Sequence, residues 1–265
     1  SVVSGMDEDV LTALIGVQDR VRAHFGWSYQ ADVTSAIGLR NVCNEHPQAN
    51  LFGWSPDRRA ETLEAVRERL LDAARVVLVG AAASREHLDR AWPSGTEFVA
   101  ADGAVGACLG LVEPVCVVTD LDGGVHLDGA VDNGIPLIVH AHGDNAKTWS
   151  TMLQRWTAKP PRLVLTHQTH EHHPDMFNPG GFTDGDRAVC FVRWLGVQNE
   201  RIHLLGYDET RVGPWSGTTD PVRKMEKLSW MAQILDMVHP LWRQDAEHQV
   251  AGDEPPKSDH RETHA

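Results

Sequence analysis

The 265-residue chain is 42% hydrophobic, which suffices for one substantial core or for a large domain with a small partner. Its formal net charge of −13 argues against nonspecific binding of nucleic acid through a basic face. No apolar run approaches the roughly 20 residues of a transmembrane helix, and residues 1–10 lack the basic and apolar regions of a secretory signal. We therefore expect a soluble, cytoplasmic protein that binds neither nucleic acid nor membranes.

The cysteines and the basic residues indicate the cellular environment. The four cysteines are widely spaced without a C-x-x-C motif, so we expect small apolar thiols in a reducing compartment rather than zinc ligands or disulfides. The 24 basic residues are mostly arginines, with lysine only at Lys147, Lys159, Lys224, Lys227 and Lys257. An acidic, lysine-poor surface suits the salty cytoplasm of a halophile, and a GC-rich genome would produce the same bias toward arginine.

Residues 1–74 have the pattern of a helical N-terminal segment. Apolar residues recur at helical spacing over 9–23, and Ser55 followed by Pro56 predicts the cap and first turn of a helix over 58–74. The stretch between them predicts a loop, because it contains Asn41, Asn44, Pro47 and Asn50. No catalytic pattern occurs in this part, so we expect a helical cap or flanking segment.

From residue 75 to 243, short apolar runs alternate with stretches that are compatible with helices. The runs predict six strands, at 75–80, 97–101, 115–119, 136–141, 162–166 and 202–206. The helices are predicted at 84–91, 103–111, 146–156, 184–195 and 220–238. This alternation predicts an α/β, Rossmann-like fold, with a mostly parallel sheet of about six strands and helices on both faces. Residues 244–265 are polar and predict a disordered tail.

Acidic residues follow several of the predicted strands. Asp102 follows the second strand, Asp120 and Asp122 the third, and Asp144 the fourth. Ligands of parallel α/β sheets bind beyond the carboxyl ends of the strands, so we expect these four side chains to converge. Crowded carboxylates repel one another unless a hard cation such as Mg²⁺ lies between them. A lone D-x-D motif is equally compatible with a polar turn, whereas four acids at one sheet edge favour a metal site.

The segment GGFTDGDR, residues 180–187, leads into the helix predicted at 184–195. Gly180 and Gly181 permit positive φ and close approach of backbone N–H groups to an anion, which a helix N-terminus also attracts. Thr183 or Asp184 could instead cap the helix. Arg187 is a cation in the first helical turn, where it needs an anionic partner, so we expect a phosphate or a carboxylate beside it. The segment is not a P-loop, since G-x-x-x-x-G-K-[ST] is absent from the chain.

Histidines cluster after the fourth and fifth predicted strands. His140 and His142 form an H-x-H pair of the kind that holds zinc in some metal-dependent hydrolases. Those enzymes are usually eight-stranded barrels, whereas this chain predicts about six strands. We therefore favour polar walls of a binding site for these residues, with the hydrolase as an alternative.

Six motifs in this order resemble those of archaeal 6-hydroxymethyl-7,8-dihydropterin pyrophosphokinases, whose catalytic domain is similar to that of thiamine pyrophosphokinases. They are ADGAVG (101–106), VTDLDGG (118–124), VHAHGDN (139–145), THQT (166–169), NPGGFTDGDRAV (178–189) and LLGYD (204–208). The resemblance covers about residues 75–240 and implies a Mg²⁺-dependent enzyme with ATP and a reduced hydroxymethylpterin as substrates. The product would enter folate or methanopterin synthesis. Thiamine stays an alternative acceptor, and a homo-oligomer is compatible with the sequence.

The resemblance also implies roles for individual residues. It implies metal ligands at Asp102, Asp120, Asp122 and Asp144. It implies catalytic roles for Asp144, Asp186 and Arg187, with Asp144 as the acceptor of the hydroxyl proton or as a bridge between metals. Contacts with nucleotide or substrate are expected at Gly103, His140, His142, Asn145, Thr166, Gln168, Gly180, Gly181, Thr183 and Lys224.

Overall fold

The computed structural model describes residues 4–143, 145–217 and 220–245. Four helices come first: α1 (Glu8–Phe25), α2 (Tyr29–Glu45), α3 (Ala49–Phe52) and α4 (Pro56–Asp72). The elements that follow are β1 (Arg75–Val79), α5 (Arg85–Leu88), β2 (Thr96–Ala101), α6 (Val105–Cys108), β3 (Cys116–Thr119), α7 (Val125–Asp132), β4 (Leu137–His140), α8 (Ala146–Arg155), β5 (Leu163–Thr166), α9 (Asp184–Trp194), β6 (Ile202–Leu205) and α10 (Pro221–Val238). The tail predicted at 244–265 lies outside the described residues beyond Asp245.

The six strands form one sheet in the order β5-β4-β3-β2-β1-β6, and every pairing between neighbours is parallel. The predicted fold class is therefore confirmed, and each strand begins and ends within one residue of its predicted boundary. The chain builds the sheet outward from β1 to β5 and then returns to place β6 on the other side of β1. Such a reversal of strand order is where open α/β sheets form their ligand crevice.

Both faces of the sheet are buried beneath helices. Successive residues of a strand point to opposite faces, so neighbouring residues of one strand belong to different buried clusters. Val76 and Leu78 of β1 belong to one buried cluster together with residues of α1, α4, α9 and α10. Val77 and Val79 belong to a second cluster together with residues of α2, α6, α7 and α8. All four cysteines are buried free thiols, as predicted. In the described ranges, no helix combines the length and the apolar character that crossing a bilayer requires.

The N-terminal segment is more helical than the sequence predicts. The cap of α4 is confirmed, because the Ser55 hydroxyl accepts the Arg58 N–H. The loop predicted between the first two helices is wrong over 29–45, which forms α2. Ser28 caps this helix, and its buried face overrides the loop preference of asparagine. Asn44 lies within the helix and accepts a hydrogen bond from Arg59 at 2.7 Å.

Candidate active site

Four carboxylates meet at the carboxyl edge of the sheet. Asp102 follows β2, Asp120 and Asp122 follow β3, and Asp184 is the first residue of α9. One oxygen of each lies within 4.8 Å of the other three. The sequence predicts the first three at this edge, whereas for Asp184 it predicts only a possible helix cap. Asp144, the fourth predicted ligand, lies outside the described residues.

The backbone around Leu121 explains how Asp120 and Asp122 come to face the same point. Leu121 lies between them with φ at +72° and is buried, so the chain curls and turns both acids toward the cavity. The Leu121 N–H donates to the Thr119 hydroxyl at 2.8 Å, and that hydroxyl donates to Asp102 Oδ1 at 2.5 Å. Asp102 also has a left-handed backbone, with φ at +48°. Each such residue costs about 1–2 kcal/mol, a strain that concentrates at functional sites.

Burial, and then the charges of neighbouring groups, shift the pKa values of these carboxylates. Desolvation and then the negative charges of Asp120 and Asp102 raise the pKa of Asp122 to about 9. Desolvation and the same two charges raise the pKa of Asp184 well above its usual value. Burial also acts to raise the pKa of Asp120, but its hydrogen bond with His142 and the charges of His142 and Arg187 lower it overall. The group therefore retains protons at neutral pH unless a cation compensates the charge.

The donor set fits a hard divalent cation. Asp120 Oδ1 is buried and has no hydrogen-bond partner among the described residues, so it is available as a ligand. The other Asp120 oxygen lies 3.3 Å from His142 Nε2, which holds the carboxylate in place. Oxygen-only ligands are those that Mg²⁺ prefers. Within the described ranges, this is the one group of three or more acidic, histidine or cysteine side chains with such spacing.

Cationic side chains line the same cavity as the acids. Arg187 is 3% exposed, donates to Asp184 Oδ1 at 2.7 Å, and donates to the Phe182 carbonyl oxygen at 2.5 Å. Arg223, Lys224 and Lys227 lie in the first two turns of α10. Desolvation and then the charges of Lys224 and Arg223 lower the pKa of Lys227. A cavity with acids on one side and clustered cations on another suits a polyphosphate bound together with its metal ion.

The cavity has a volume of about 710 Å³, which is the size of a site for small organic ligands. It is lined by nine of the residues predicted from the sequence: Asp102, Asp120, Asp122, His142, Asn145, Gln168, Thr183, Arg187 and Lys224. The other predicted residues of the described chain are not among those that line the cavity: Gly103, His140, Thr166, Gly180, Gly181 and Asp186. Their contacts show what they do there.

His140 and Thr166 support the cavity wall from behind. His140 is fully buried, its Nδ1 lies 2.9 Å from the Thr166 hydroxyl, and its Nε2 lies 2.9 Å from Gln168 Oε1. Desolvation and then the charge of Arg187 lower the pKa of His140 well below its usual value, so the ring is neutral. Both ring nitrogens are engaged, which leaves none for a zinc ion. The arrangement supports the polar-wall interpretation of the H-x-H pair over the hydrolase.

Three of the predicted glycines permit close packing. A Cβ on Gly180 would lie 2.8 Å from Leu14 Cβ, and one on Gly181 would lie 2.6 Å from Arg187 Cα. Both have positive φ, as predicted, at +88° and +97°. A Cβ on Gly103 would lie 2.6 Å from the Trp215 carbonyl oxygen. Gly181 and Gly103 therefore let backbone segments approach one another, and Gly180 lets the Leu14 side chain pack against it. Their predicted contacts with a ligand stay a prediction.

The side chain of Asp186 caps the N-terminus of α9 from within the first turn of the helix. Its carboxylate accepts the Phe182 N–H at 2.5 Å and the Thr183 N–H at 2.9 Å, and it is fully buried. Thr183 and Asp186 form a capping box. In place of the catalytic contact expected from the sequence, the structure gives Asp186 a part in holding the turn that presents Asp184 and Arg187.

The N-terminal segment contributes to the cavity, which the sequence did not indicate. Trp27 and Asp32 both line it. Asp32 Oδ2 accepts hydrogen bonds from Arg22 and from the Gln168 amide, each at 2.9 Å, and its Oδ1 accepts the Gly143 N–H at 2.7 Å. These bonds connect α1 and α2 to the residues that follow β4 and β5. No local pattern could reveal them, since Asp32 and Gln168 are 136 positions apart.

The sequence is similar to several archaeal proteins, although no family model matches the chain. It is 31% identical over 235 residues to the 6-hydroxymethyl-7,8-dihydropterin pyrophosphokinase of Methanothermobacter thermautotrophicus, covering 82% of this chain and 90% of the relative. The enzyme of the same name from Pyrococcus furiosus is 29% identical over 228 residues, covering 82% and 89%. That from Methanocaldococcus jannaschii is 25% identical over 239 residues, covering 82% and 91%.

Proposed function

Because the chain belongs to the family of archaeal 6-hydroxymethyl-7,8-dihydropterin pyrophosphokinases, we propose that it transfers pyrophosphate from ATP to 6-hydroxymethyl-7,8-dihydropterin. The products are the pterin diphosphate and AMP. The structural observation that carries this proposal is the group of four carboxylates in one cavity with Arg187 and the cations of α10. This combination supports a reaction in which a metal-bound triphosphate is held and split.

The carboxylates would hold Mg²⁺ through Asp102, Asp120, Asp122 and Asp184. When bound, the ion supplies neutralisation of triphosphate charge and polarisation of the phosphoryl group that is transferred. We propose Asp144 as a further metal ligand or as the acceptor of the hydroxyl proton. Its described neighbours Gly143 and Asn145 both line the cavity.

The reaction requires one bond to form and one to break at the β-phosphorus of ATP. The hydroxymethyl oxygen of the pterin attacks this phosphorus and loses its proton to a nearby acceptor. The bond from the β-phosphorus to the oxygen that bridges to the α-phosphorus breaks, and AMP leaves with that oxygen. Phosphoryl transfer of this kind asks the protein mainly for positioning and for stabilisation of charge.

Arg187 is positioned to stabilise the negative charge that develops during the transfer. Its guanidinium is fixed by Asp184 and by the Phe182 carbonyl oxygen, and its Nε has no hydrogen-bond partner among the described residues. A buried cation that is already oriented stabilises developing negative charge without reorganising during the reaction. Lys224 and Lys227 of α10 would bind the outer phosphates in the same way.

The test is a measurement of AMP with three acceptors. Purified protein is incubated with ATP and Mg²⁺ alone, with 6-hydroxymethyl-7,8-dihydropterin, and with thiamine. The proposal predicts AMP only with the pterin, and loss of the activity with EDTA. Turnover of thiamine as fast as that of the pterin would favour a thiamine pyrophosphokinase instead. Hydrolytic activity without ATP would favour the metal-dependent hydrolase.

A further inference from the structure

The cavity has two different halves on either side of the four carboxylates, which are called here the acid group: Asp102, Asp120, Asp122 and Asp184. The first three follow β2 and β3, which are the central strands of the sheet. On one side, Gln168 follows β5, and Trp27 and Asp32 of the N-terminal segment complete the wall. On the other side lie Gly80 and Gly206, which follow β1 and β6. The strand order therefore separates a half formed with the N-terminal segment from a half at the β1–β6 edge.

The half at β1 and β6 has the features of a nucleotide site. It lies where the strand order reverses, which is where open α/β sheets bind nucleotides. Small residues bring its loops close together, since a Cβ on Gly80 would lie 2.7 Å from the Gly206 carbonyl oxygen. Trp215 lines this half, and its indole N–H donates to the Ala83 carbonyl oxygen at 2.8 Å. ATP would place its nucleoside here and its phosphates toward the acids.

The half beside the N-terminal segment has the features of a site for a flat, polar heterocycle. Trp27 is half-buried, and its ring stacks on that of Phe25 with centroids 4.6 Å apart. Its ring centroid also lies 5.9 Å from that of Phe182, 5.5 Å from the Arg223 guanidinium and 5.7 Å from Lys227 Nζ. Aromatic faces of this kind stack on heterocyclic rings. Gln168 lines the same half, and its amide nitrogen, which donates one hydrogen to Asp32, has a second N–H for the hydrogen-bonding edge of such a ring. A pterin is a flat bicycle with both donors and acceptors along one edge.

The polar wall of this half is held rigidly by the N-terminal segment. Asp32 is 4% exposed and joins the Gln168 amide to the Gly143 N–H, while its charge is balanced by Arg22. Arg22 also donates to the Gln168 carbonyl oxygen at 2.8 Å. Asp32 is therefore a positioning residue, because its carboxylate fixes groups that face the ligand.

We propose that α1, α2 and the turn between them form the acceptor subsite, in which Trp27 stacks on the pterin ring and Asp32 positions the polar wall. This inference rests on the proposed function, since it divides one cavity between the two substrates. It assigns to residues 1–74 the choice of acceptor, while the sheet and α10 bind ATP.

The experiment compares tryptophans at the two ends of the cavity. Trp27→Leu and Trp215→Leu are measured with Trp92→Leu as a matched control, since Trp92 packs on Phe98 away from the cavity lining. KM is determined for each substrate. Dissociation constants are measured by calorimetry for 6-hydroxymethyl-7,8-dihydropterin and for the Mg²⁺ complex of α,β-methylene-ATP, which cannot be cleaved at the reacting bridge.

Trp27→Leu should raise KM and Kd for the pterin roughly tenfold and leave the ATP analogue unchanged, because loss of one stacked ring has about this effect. Trp27→Phe should recover most of the affinity. Trp215→Leu should weaken the analogue and spare the pterin, and Trp92→Leu should change neither.

The inference is overturned if Trp27→Leu weakens the analogue instead of the pterin, or if neither constant changes. Should Trp27→Leu fail to fold, Trp27→Met, which also removes the aromatic ring, supplies the same comparison, with unchanged KM and Kd for the pterin as the contrary result. Failure of the wild-type chain to release AMP with the pterin would instead overturn the proposed function, so the two failures are distinguishable.

Discussion

Asp184 and Asp186 lie two positions apart at the start of α9 but make different contacts. Asp184 belongs to the acid group, whereas Asp186 caps the helix. Asp184→Asn keeps the shape of the side chain and removes one negative charge. A cation held among these oxygens would lie within their mutual limit of 4.8 Å from Asp184, so its attraction to that carboxylate would be at least about 3.5 kcal/mol at an effective dielectric constant of about 20. At about 1.4 kcal/mol per factor of ten, kcat should fall by roughly 10²–10³.

The assay measures kcat from AMP release and the Mg²⁺ requirement from a titration of the metal at saturating ATP. Asp184→Asn should need more Mg²⁺ in addition to turning over more slowly. The matched control is Asp186→Asn, which removes a capping acceptor. It should lower the free energy of unfolding by about 1–2 kcal/mol and leave kcat within a few-fold of the wild type.

Two results would refute this reasoning. One is an Asp184→Asn variant with kcat and Mg²⁺ requirement near those of the wild type, which would remove this carboxylate from the metal site. The other is the reverse pattern, in which Asp186→Asn loses Mg²⁺-dependent turnover and Asp184→Asn loses only stability.

Three further predictions concern protonation, packing and charge. Asp122, whose pKa is about 9, carries a proton at pH 7, so Mg²⁺ binding should release protons and become tighter as the pH rises toward 9. Calorimetry in buffers of different ionisation enthalpy measures the number of protons released. Mg²⁺ binding without net proton release would contradict this prediction. Gly181→Ala should lower the free energy of unfolding by about 1–3 kcal/mol in denaturant titrations, because its φ is +97°, whereas Gly16→Ala, which meets nothing within 4 Å, should be neutral or stabilising. Lys227→Met should raise KM for ATP several-fold while Lys159→Met, outside the cavity lining, should not; equal KM values would place Lys227 away from the phosphates.

The strands could be predicted because their evidence is local. Buried parallel strands are nearly continuous apolar runs, so Val115 to Thr119 marks β3 without knowledge of its neighbours. The meeting of Asp102, Asp120 and Asp122 follows from the rule that ligands bind at the carboxyl ends of such strands. The sequence does not predict α2, because asparagines weaken its helical pattern and its stability comes from a face that is buried only in the folded chain.

The sequence carries a signal that separates the roles of Asp184 and Asp186. Thr183 and Asp186 have the spacing of a capping box, which assigns Asp186 to the cap and leaves Asp184 to face the cavity. The contacts of Asp32 carry no such signal, since they are tertiary bonds between distant parts of the chain. The sequence likewise does not predict the left-handed turn at Leu121, because leucine disfavours that conformation.

The central claim is that pyrophosphate passes intact from ATP to a hydroxymethylpterin at the acid group. Phosphorus NMR of a reaction with ATP, Mg²⁺ and 6-hydroxymethyl-7,8-dihydropterin tests it most directly, because it identifies every phosphorus product. We predict AMP and the pterin diphosphate in equal amounts, with neither formed when the pterin is omitted. ADP or orthophosphate as the main product, or AMP formed without the pterin, would contradict the account.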